Sequence, residues 1–268
     1  MTTSKTRKTI TFLGSGNVAT HLAKAFHNAG HQILQVWSRE YDHAESLANT
    51  VYAEPVDRIK LIYPTADIYI IAVADDAIFD LALDLKFREA LVIHTAGSVP
   101  LKVLQPISRR HGVLWSPQTF IRNVAMDYST LPFCIEASTP EAEEQLQQLV
   151  ETVSSHIYKV DSIQRQWLHI AAVITNNFGN AINAIAQDIL KEHEIPFEIL
   201  HPLITMTADK IKQGGLWQQQ TGPARRQDQK TIDNQRRMIA DYPKLLELYD
   251  IMTEIIQKNT LKTEVVKC

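Results

Sequence analysis

Gly14 and Gly16 are separated by one residue, and Ala19 follows three positions on, giving the spacing G-x-G-x-x-A. Each small residue has its own task in holding a pyrophosphate. The first permits a tight turn, the second lets phosphates approach the backbone, and the third lets a helix pack close to its strand. Ser15, Asn17 and Val18 share that turn, where the first N–H groups of the helix would face the anion with the helix dipole in support. The alternative is a tight turn that holds no ligand. Context favours the phosphate, because the motif has meaning only between a strand and a helix. Thr9 to Leu13 are β-branched, aromatic or apolar, as in a buried strand. After the glycines, Val18, Leu22, Ala25, Phe26 and Ala29 recur at helical spacing, and Gly30 stands where a helix ends.

The end of the next strand bears on which dinucleotide would bind. An acid there holds the adenosine ribose hydroxyls, whereas an arginine suits a 2′-phosphate. This strand ends Val36-Trp37-Ser38-Arg39-Glu40. Arg39 can pair with a phosphate and stack on adenine while Ser38 donates a hydrogen bond, which favours NADP over NAD. Glu40 as a displaced acid, with Arg39 a solvated charge, is the competing reading.

A third set of polar residues lies on one helix. From Ser162 to His193 the pattern predicts a single helix, roughly 45 Å long at ~1.5 Å per residue. Ile163, Trp167, Ile174, Phe178, Ile182, Ile185 and Ile189 form an apolar stripe, as a core or a subunit contact would need. Arg165, His169, Asn176, Asn180, Asn183 and Gln187 share another face. Asparagine is a poor helix former, so three in one row oppose local propensity, and a solvated face would more usually carry Glu and Lys. A site or a buried polar interface follows. Histidine changes charge near neutrality, which makes His169 the candidate to donate a proton to a substrate oxygen.

Further along, Thr221 to Asp228 reads TGPARRQD, a turn followed by a helix start. Arg225 and Arg226 can hold a carboxylate or phosphate of the substrate, or serve as structural partners of Asp228. The pair His27/His31 straddles a helix end, and Glu194, Glu198 and His201 straddle a proline break, so no metal site is expected.

The elements around these residues alternate in the first half of the chain. Strands are expected at QILQVWS, at ADIYIIAVAD ending on Asp75, at ALVIHTAGS ending on His94, and at GVLWSP, PFCIEAS and HIYKV, with a helix over Tyr41 to Asn49. Alternation of this kind gives a parallel, doubly wound sheet, in which ligands bind beyond the carboxyl ends of the strands. Asp75, His94 and Ser116 stand at such ends. Beyond residue 160 the pattern is helical only, with further helices over 197–213, 229–240 and 244–258. The expected fold class is therefore α/β, a doubly wound sheet over residues 1–160 followed by an all-α domain over 161–268.

Composition narrows the function classes. The chain has 268 residues with 27 Lys plus Arg against 30 Asp plus Glu, so no basic field points to nucleic acid. Its two cysteines, Cys134 in an apolar segment and the terminal Cys268, exclude a disulfide framework. The opening MTTSKTRK is polar, and the longest apolar run, near Ile68 to Ala74, is too short to span a bilayer. A soluble cytoplasmic protein with no membrane partner is expected.

Taken with HTAGS, SPQTF, the helix carrying His169 to Asn177, and TGPARRQD, the glycine loop supports a resemblance over nearly the whole chain. The sequence resembles the Rossmann-type NADP oxidoreductases with a C-terminal helical domain of unknown function, relatives of pyrroline-5-carboxylate reductase and of the deazaflavin-dependent NADP oxidoreductases. The resemblance implies an N-terminal NADP domain and a helical domain that dimerises and closes over the nicotinamide; it names no substrate. Three departures stand out. Ser116-Pro117 replaces His-Pro, Arg165 replaces a lysine four residues before the helix histidine, and Gln227 sits between Arg226 and Asp228 in place of glycine. Arg165 cannot deprotonate and so cannot be a general base.

The resulting expectation is an NADP-dependent oxidoreductase acting on a small carbonyl, imine or hydroxy-acid molecule, and a homodimer through the helical domain. The pyrophosphate falls to Gly14, Ser15, Gly16, Asn17 and Val18, and the 2′-phosphate to Ser38 and Arg39. Ala74 and Asp75 border the nicotinamide half; His94, Thr95, Gly97 and Ser98 line the reaction centre. His169 and Asn176 protonate or orient substrate, with Ser116, Asn180, Arg225 and Arg226 as further substrate contacts. The competing class is a non-catalytic NADP-binding sensor or scaffold.

Overall fold

The computed structural model describes residues 7–87 and 89–265, with side chains as far as residue 259. Cys268 and the first six residues lie outside the described residues. By compactness the chain divides into Met1–Ala181 and Ile182–Cys268.

The first unit is built on β1 (Thr9–Leu13), α1 (Asn17–Asn28), β2 (Gln32–Trp37), α2 (Tyr41–Val51) and β3 (Glu54–Val56). It continues through β4 (Ile68–Ile71), α3 (Asp75–Asp84), β5 (Leu91–His94), β6 (His111–Trp115), β7 (Phe133–Ala137), α4 (Pro140–Val150), β8 (Ile157–Lys159) and α5 (Ser162–Ala172). Eight strands form one sheet in the order β3-β2-β1-β4-β5-β6-β7-β8. β1, β4 and β5 are central and covered on both faces, which is why they read as unbroken apolar runs. One face packs against α1, α2 and α4 through Leu22, Phe26, Leu47 and Leu146. The other packs against α3 through Ile78 and Leu81.

Two details differ from the sequence reading. β7 runs antiparallel to β6, whereas every other neighbouring pair is parallel. The connection from Ser116 to Pro132 carries no α-helix across the sheet, so the chain re-enters from the end it left and must run back. β4 stops at Ile71, and Asp75 opens α3 instead of ending a strand.

The expected long helix is present, but it changes winding. A π-helical stretch, Val173–Phe178, links α5 to α6 (Gly179–Glu192). Such stretches are uncommon and tend to mark functional positions. Asp161 starts α5 with a capping box, accepting from the Gln164 N–H at 2.8 Å while the Asp161 N–H donates back to Gln164 Oε1 at 2.9 Å.

The second unit continues with α7 (His201–Lys212), α8 (Pro223–Arg226), α9 (Gln229–Met238) and α10 (Pro243–Val265). An Arg236–Asp250 ion pair at 2.9 Å and a Tyr249 hydroxyl donating to Gln235 at 2.6 Å tie α9 to α10. No helix among the described residues is long and apolar enough to cross a membrane.

Candidate functional site

The turn between β1 and α1 is fixed by contacts that only glycine allows. Gly14 has φ +119°, and a Cβ there would lie 2.1 Å from the Ala72 carbonyl oxygen. Its N–H donates to the Trp37 carbonyl at 2.8 Å, which locks the turn to β2. Gly16 caps α1 without a side chain, no other described residue beyond its chain neighbours lies within 4 Å of where its Cβ would be, and the first turn carries no acid. The unpaired N–H groups of that turn therefore face open space with the positive end of the helix dipole.

That space is a cleft of about 460 Å³. Ser15, Asn17 and Val18 form its centre beside β1, and Ser38 and Arg39 border it at the end of β2. On the opposite side of β1 the walls are Ala74 and Asp75 after β4, then Thr95 and Gly97 after β5. Arg39 is exposed and makes no ion pair with any described residue. The Asp75 carboxylate is occupied by the Ser98 hydroxyl. Unpaired backbone N–H groups and a free guanidinium make this a cleft for a phosphate-bearing dinucleotide, and the residues present fit one.

His169 closes the cleft from α5. Its ring also lines a second cavity of about 400 Å³, with Trp115, Ser116, Gln118, Thr119, Asn176 and Asn177 among its walls. The imidazole meets the Trp115 indole edge-on at 5.8 Å and 89°. Asn176, from the π-helical stretch, donates through Nδ2 to Thr119 Oγ1 at 3.0 Å. Thus residues after β5, residues after β6 and one face of α5 converge on His169.

Other expected residues are placed differently. His94 is fully buried and lines neither cavity. Its Nδ1 accepts from the Ala96 N–H at 3.2 Å, and its Nε2 has no partner among the described residues. Burial, then the Arg165 charge nearby, lowers its pKa to about 3. β5 is central, so its last side chain points into the core; His94 is a neutral core residue. Ser98 does not line the cleft itself; its hydroxyl donates to Asp75, which does. Asn180 is exposed and lines neither cavity. Ser116 is buried in the second cavity's wall, and its hydroxyl has no partner among the described residues.

Arg165 is not on a solvated or catalytic face. It is 1% exposed, ion-paired to Glu136, and donates to the Val99 carbonyl at 2.6 Å. It clamps α5 to β7 and to the segment after β5. In the second unit, Gly222 (φ +95°) and Gln227 (φ 55°) bracket α8, which carries Arg225 half-buried and Arg226 exposed. Asp228 caps α9 by accepting from the Thr231 N–H at 3.1 Å and hydroxyl at 2.7 Å. Those bonds, with the Arg226 charge a lesser cause, hold its carboxyl below the ordinary range.

Two contributors carried no motif. Arg122 donates to the Ser15 carbonyl at 2.6 Å. His21 on α1 bonds the Ile121 carbonyl at 2.8 Å and the Tyr128 hydroxyl at 2.9 Å. Together they strap the segment after β6 onto the glycine turn. Trp115 read as an ordinary strand residue; its only signal was its place at a carboxyl end next to Ser116.

Comparison with known proteins agrees with this geometry. Residues 9–97 match the family described as NADP oxidoreductase coenzyme F420-dependent, and residues 131–256 match a domain of unknown function, DUF2520. No curated protein matches the chain. Among solved structures, a candidate NADP oxidoreductase from Bacteroides fragilis is 38% identical, with a TM-score of 0.87 over 95% of this chain and 100% of that one. A reductive aminase from Aspergillus terreus in complex with NADPH and ethyl levulinate is 14% identical, with a TM-score of 0.71 over 96% of this chain and 95% of that one. An imine reductase from Myxococcus stipitatus in complex with NADP+ is 15% identical, with a TM-score of 0.65 over 93% of each chain. At those identities the last two share the fold alone. The chain belongs to the family of the Bacteroides fragilis protein, NADP oxidoreductases that join a Rossmann-type domain to a C-terminal helical domain of unknown function.

Proposed function

We propose that this protein is an NADP(H)-dependent oxidoreductase of a small carbonyl or imine compound, with the reacting bond held beside His169. The observation that carries this reading is that one imidazole lines both the dinucleotide cleft and the adjoining polar cavity. Bound NADPH supplies a hydride. The chain's own residues supply the rest. The α1 N-terminus and Ser15, Asn17 and Val18 neutralise the pyrophosphate, and Ser38 and Arg39 select the 2′-phosphate. His169 gives a proton to the substrate oxygen or nitrogen as negative charge develops there. Trp115 holds the ring edge-on, and Asn176 orients the substrate. Residues 1–160 carry the cofactor, and α5 with the π-helical stretch after it supplies His169 and Asn176. Oxidation of NADPH in the presence of a panel of cyclic imines and small ketones tests this. Turnover of any member supports it, and cofactor binding with no turnover on any favours the sensor reading.

The assembly we infer is a homodimer in the cytoplasm. Ile163 and Trp167 are each 68% exposed, and Ile174 and Phe178 each 56%, along one stripe of the α5–α6 helix. Such a contiguous apolar face is costly to leave in water. Sedimentation at micromolar concentration should give twice the 30.4 kDa chain mass; a monomer that persists with cofactor present would contradict it.

A further inference from the structure

We infer that a separate cavity, between the starts of β6 and α5, binds a small organic phosphate that carries a free hydroxyl group. No residue of its wall lines the dinucleotide cleft or the cavity beside His169, so the site stands apart from the proposed chemistry. It holds about 830 Å³, enough for a metabolite-sized molecule. His111 opens β6, Glu136 lies in β7 opposite Val113, and Ser162 opens α5. Lys102, from the turn after β5, Arg109, just before β6, and Ser138, just after β7, also line the wall. Glu136 and Ser162 are both partners of Arg165, so the cavity adjoins the clamp that seats α5.

Charge decides the sign of the ligand. Lys102 and Arg109 are exposed, and neither makes an ion pair with any described residue. Glu136, the one carboxylate among the described residues of the wall, is already ion-paired to Arg165 and accepts from the Ser162 hydroxyl at 2.9 Å. Two positive charges are left uncompensated. A phosphate monoester carries close to two negative charges at neutral pH, and an arginine fork matches its oxygens.

His111 calls for the hydroxyl. It is 7% exposed, and its Nδ1 donates to the Ser108 carbonyl at 2.9 Å. Burial lowers its pKa and keeps the ring neutral at pH 7, so Nε2 carries a lone pair that only a donor can satisfy. No described residue donates to it. The Ser138 and Ser162 hydroxyl protons are spent on the Arg109 carbonyl and on Glu136. A ligand hydroxyl supplies the missing donor, and a fully ionised phosphate does not.

The test uses full-length protein, with and without saturating NADP+, and three probes: glycerol 3-phosphate, propyl phosphate and glycerol. Calorimetry should show one glycerol 3-phosphate per chain, at an affinity that NADP+ leaves unchanged. Propyl phosphate, which lacks the hydroxyls, should bind roughly three- to tenfold more weakly, and glycerol not measurably. Lys102→Gln and Arg109→Gln, both at exposed positions, should each weaken both phosphates several-fold. His111→Asn retains a donor for the Ser108 carbonyl and removes Nε2, so it should erase the difference between the two phosphates. No binding of glycerol 3-phosphate, or binding that neither charge substitution weakens, overturns the inference. Competition by NADP+ would place the phosphate in the dinucleotide cleft and overturn it as well. Equal affinity of the two phosphates for the wild type, or a preference that folded His111→Asn retains, overturns the hydroxyl contact and the ligand class with it.

Discussion

The His169 imidazole and the Trp115 indole meet edge to face, their centroids 5.8 Å apart. Gly97 makes this contact possible, because a Cβ there would come within 3.0 Å of the indole and 3.1 Å of His169 Cδ2. The segment after β5 thus sets how far the imidazole can advance over the cleft. Gly97→Ala should push the ring back by a few tenths of an ångström without touching the glycine turn. Misplacement on that scale lowers kcat by about tenfold. NADPH affinity should hold within about twofold, because the pyrophosphate contacts are elsewhere. Stopped-flow turnover beside a cofactor titration checks this. An equal loss in both would mean that the added methyl acts on the bound cofactor and not on the imidazole alone.

Among the described residues, Arg39 is the one lysine or arginine on the cleft wall. If it pairs with a 2′-phosphate, Arg39→Ala should weaken NADPH binding by roughly tenfold or more and leave NADH binding unchanged. The affinity ratio of the two cofactors, measured on both proteins by fluorescence titration, decides it. An unaltered ratio would shift the selection of cofactor to Ser38 or to Glu40.

Residues whose role is local were legible in the sequence. Gly14 announces a turn because its left-handed backbone and the nearby Ala72 carbonyl leave no room for a side chain, Gly16 keeps the approach to the helix N-terminus open, and the apolar runs of β1 and β4 follow from burial on both faces. What depends on distant packing was not. His94 looked like a strand-end ligand because a sequence does not say which way the last side chain of a central strand points. Arg165 shared a helical face with His169, yet Glu136 and Val99, far off in the chain, turn it into a core clamp. β3 is three residues long and contains Pro55, too short for an alternation to register. Arg122 and His21 work through contacts with backbone carbonyls, which leave no signature in residue type.

His94 gives the fold an acid limit. Unfolded, it takes up a proton near its ordinary value of 6.5; folded, it stays neutral down to about 3. The unfolded chain therefore binds more protons below that ordinary value. Through this group, stability is flat above it and falls as pH drops, by up to about 1.4 kcal/mol per pH unit, until the folded value is reached. Arg165 and His111 face it, and His111, lowered chiefly by its own burial, adds the same sign. Urea unfolding of the wild type should lose about 2 kcal/mol between pH 7 and 5 through His94. His94→Leu should show a correspondingly shallower dependence; parallel curves would mean that the ring is charged in the folded protein.

Everything in the proposed chemistry passes through His169, so His169→Ala is the most direct measurement. NADPH affinity and turnover should be read on the same preparation, with whichever imine or ketone the wild type reduces. The account predicts cofactor affinity close to that of the wild type and kcat lower by about 10²–10⁴, the usual range for a lost general acid. Undiminished turnover in the mutant would contradict it.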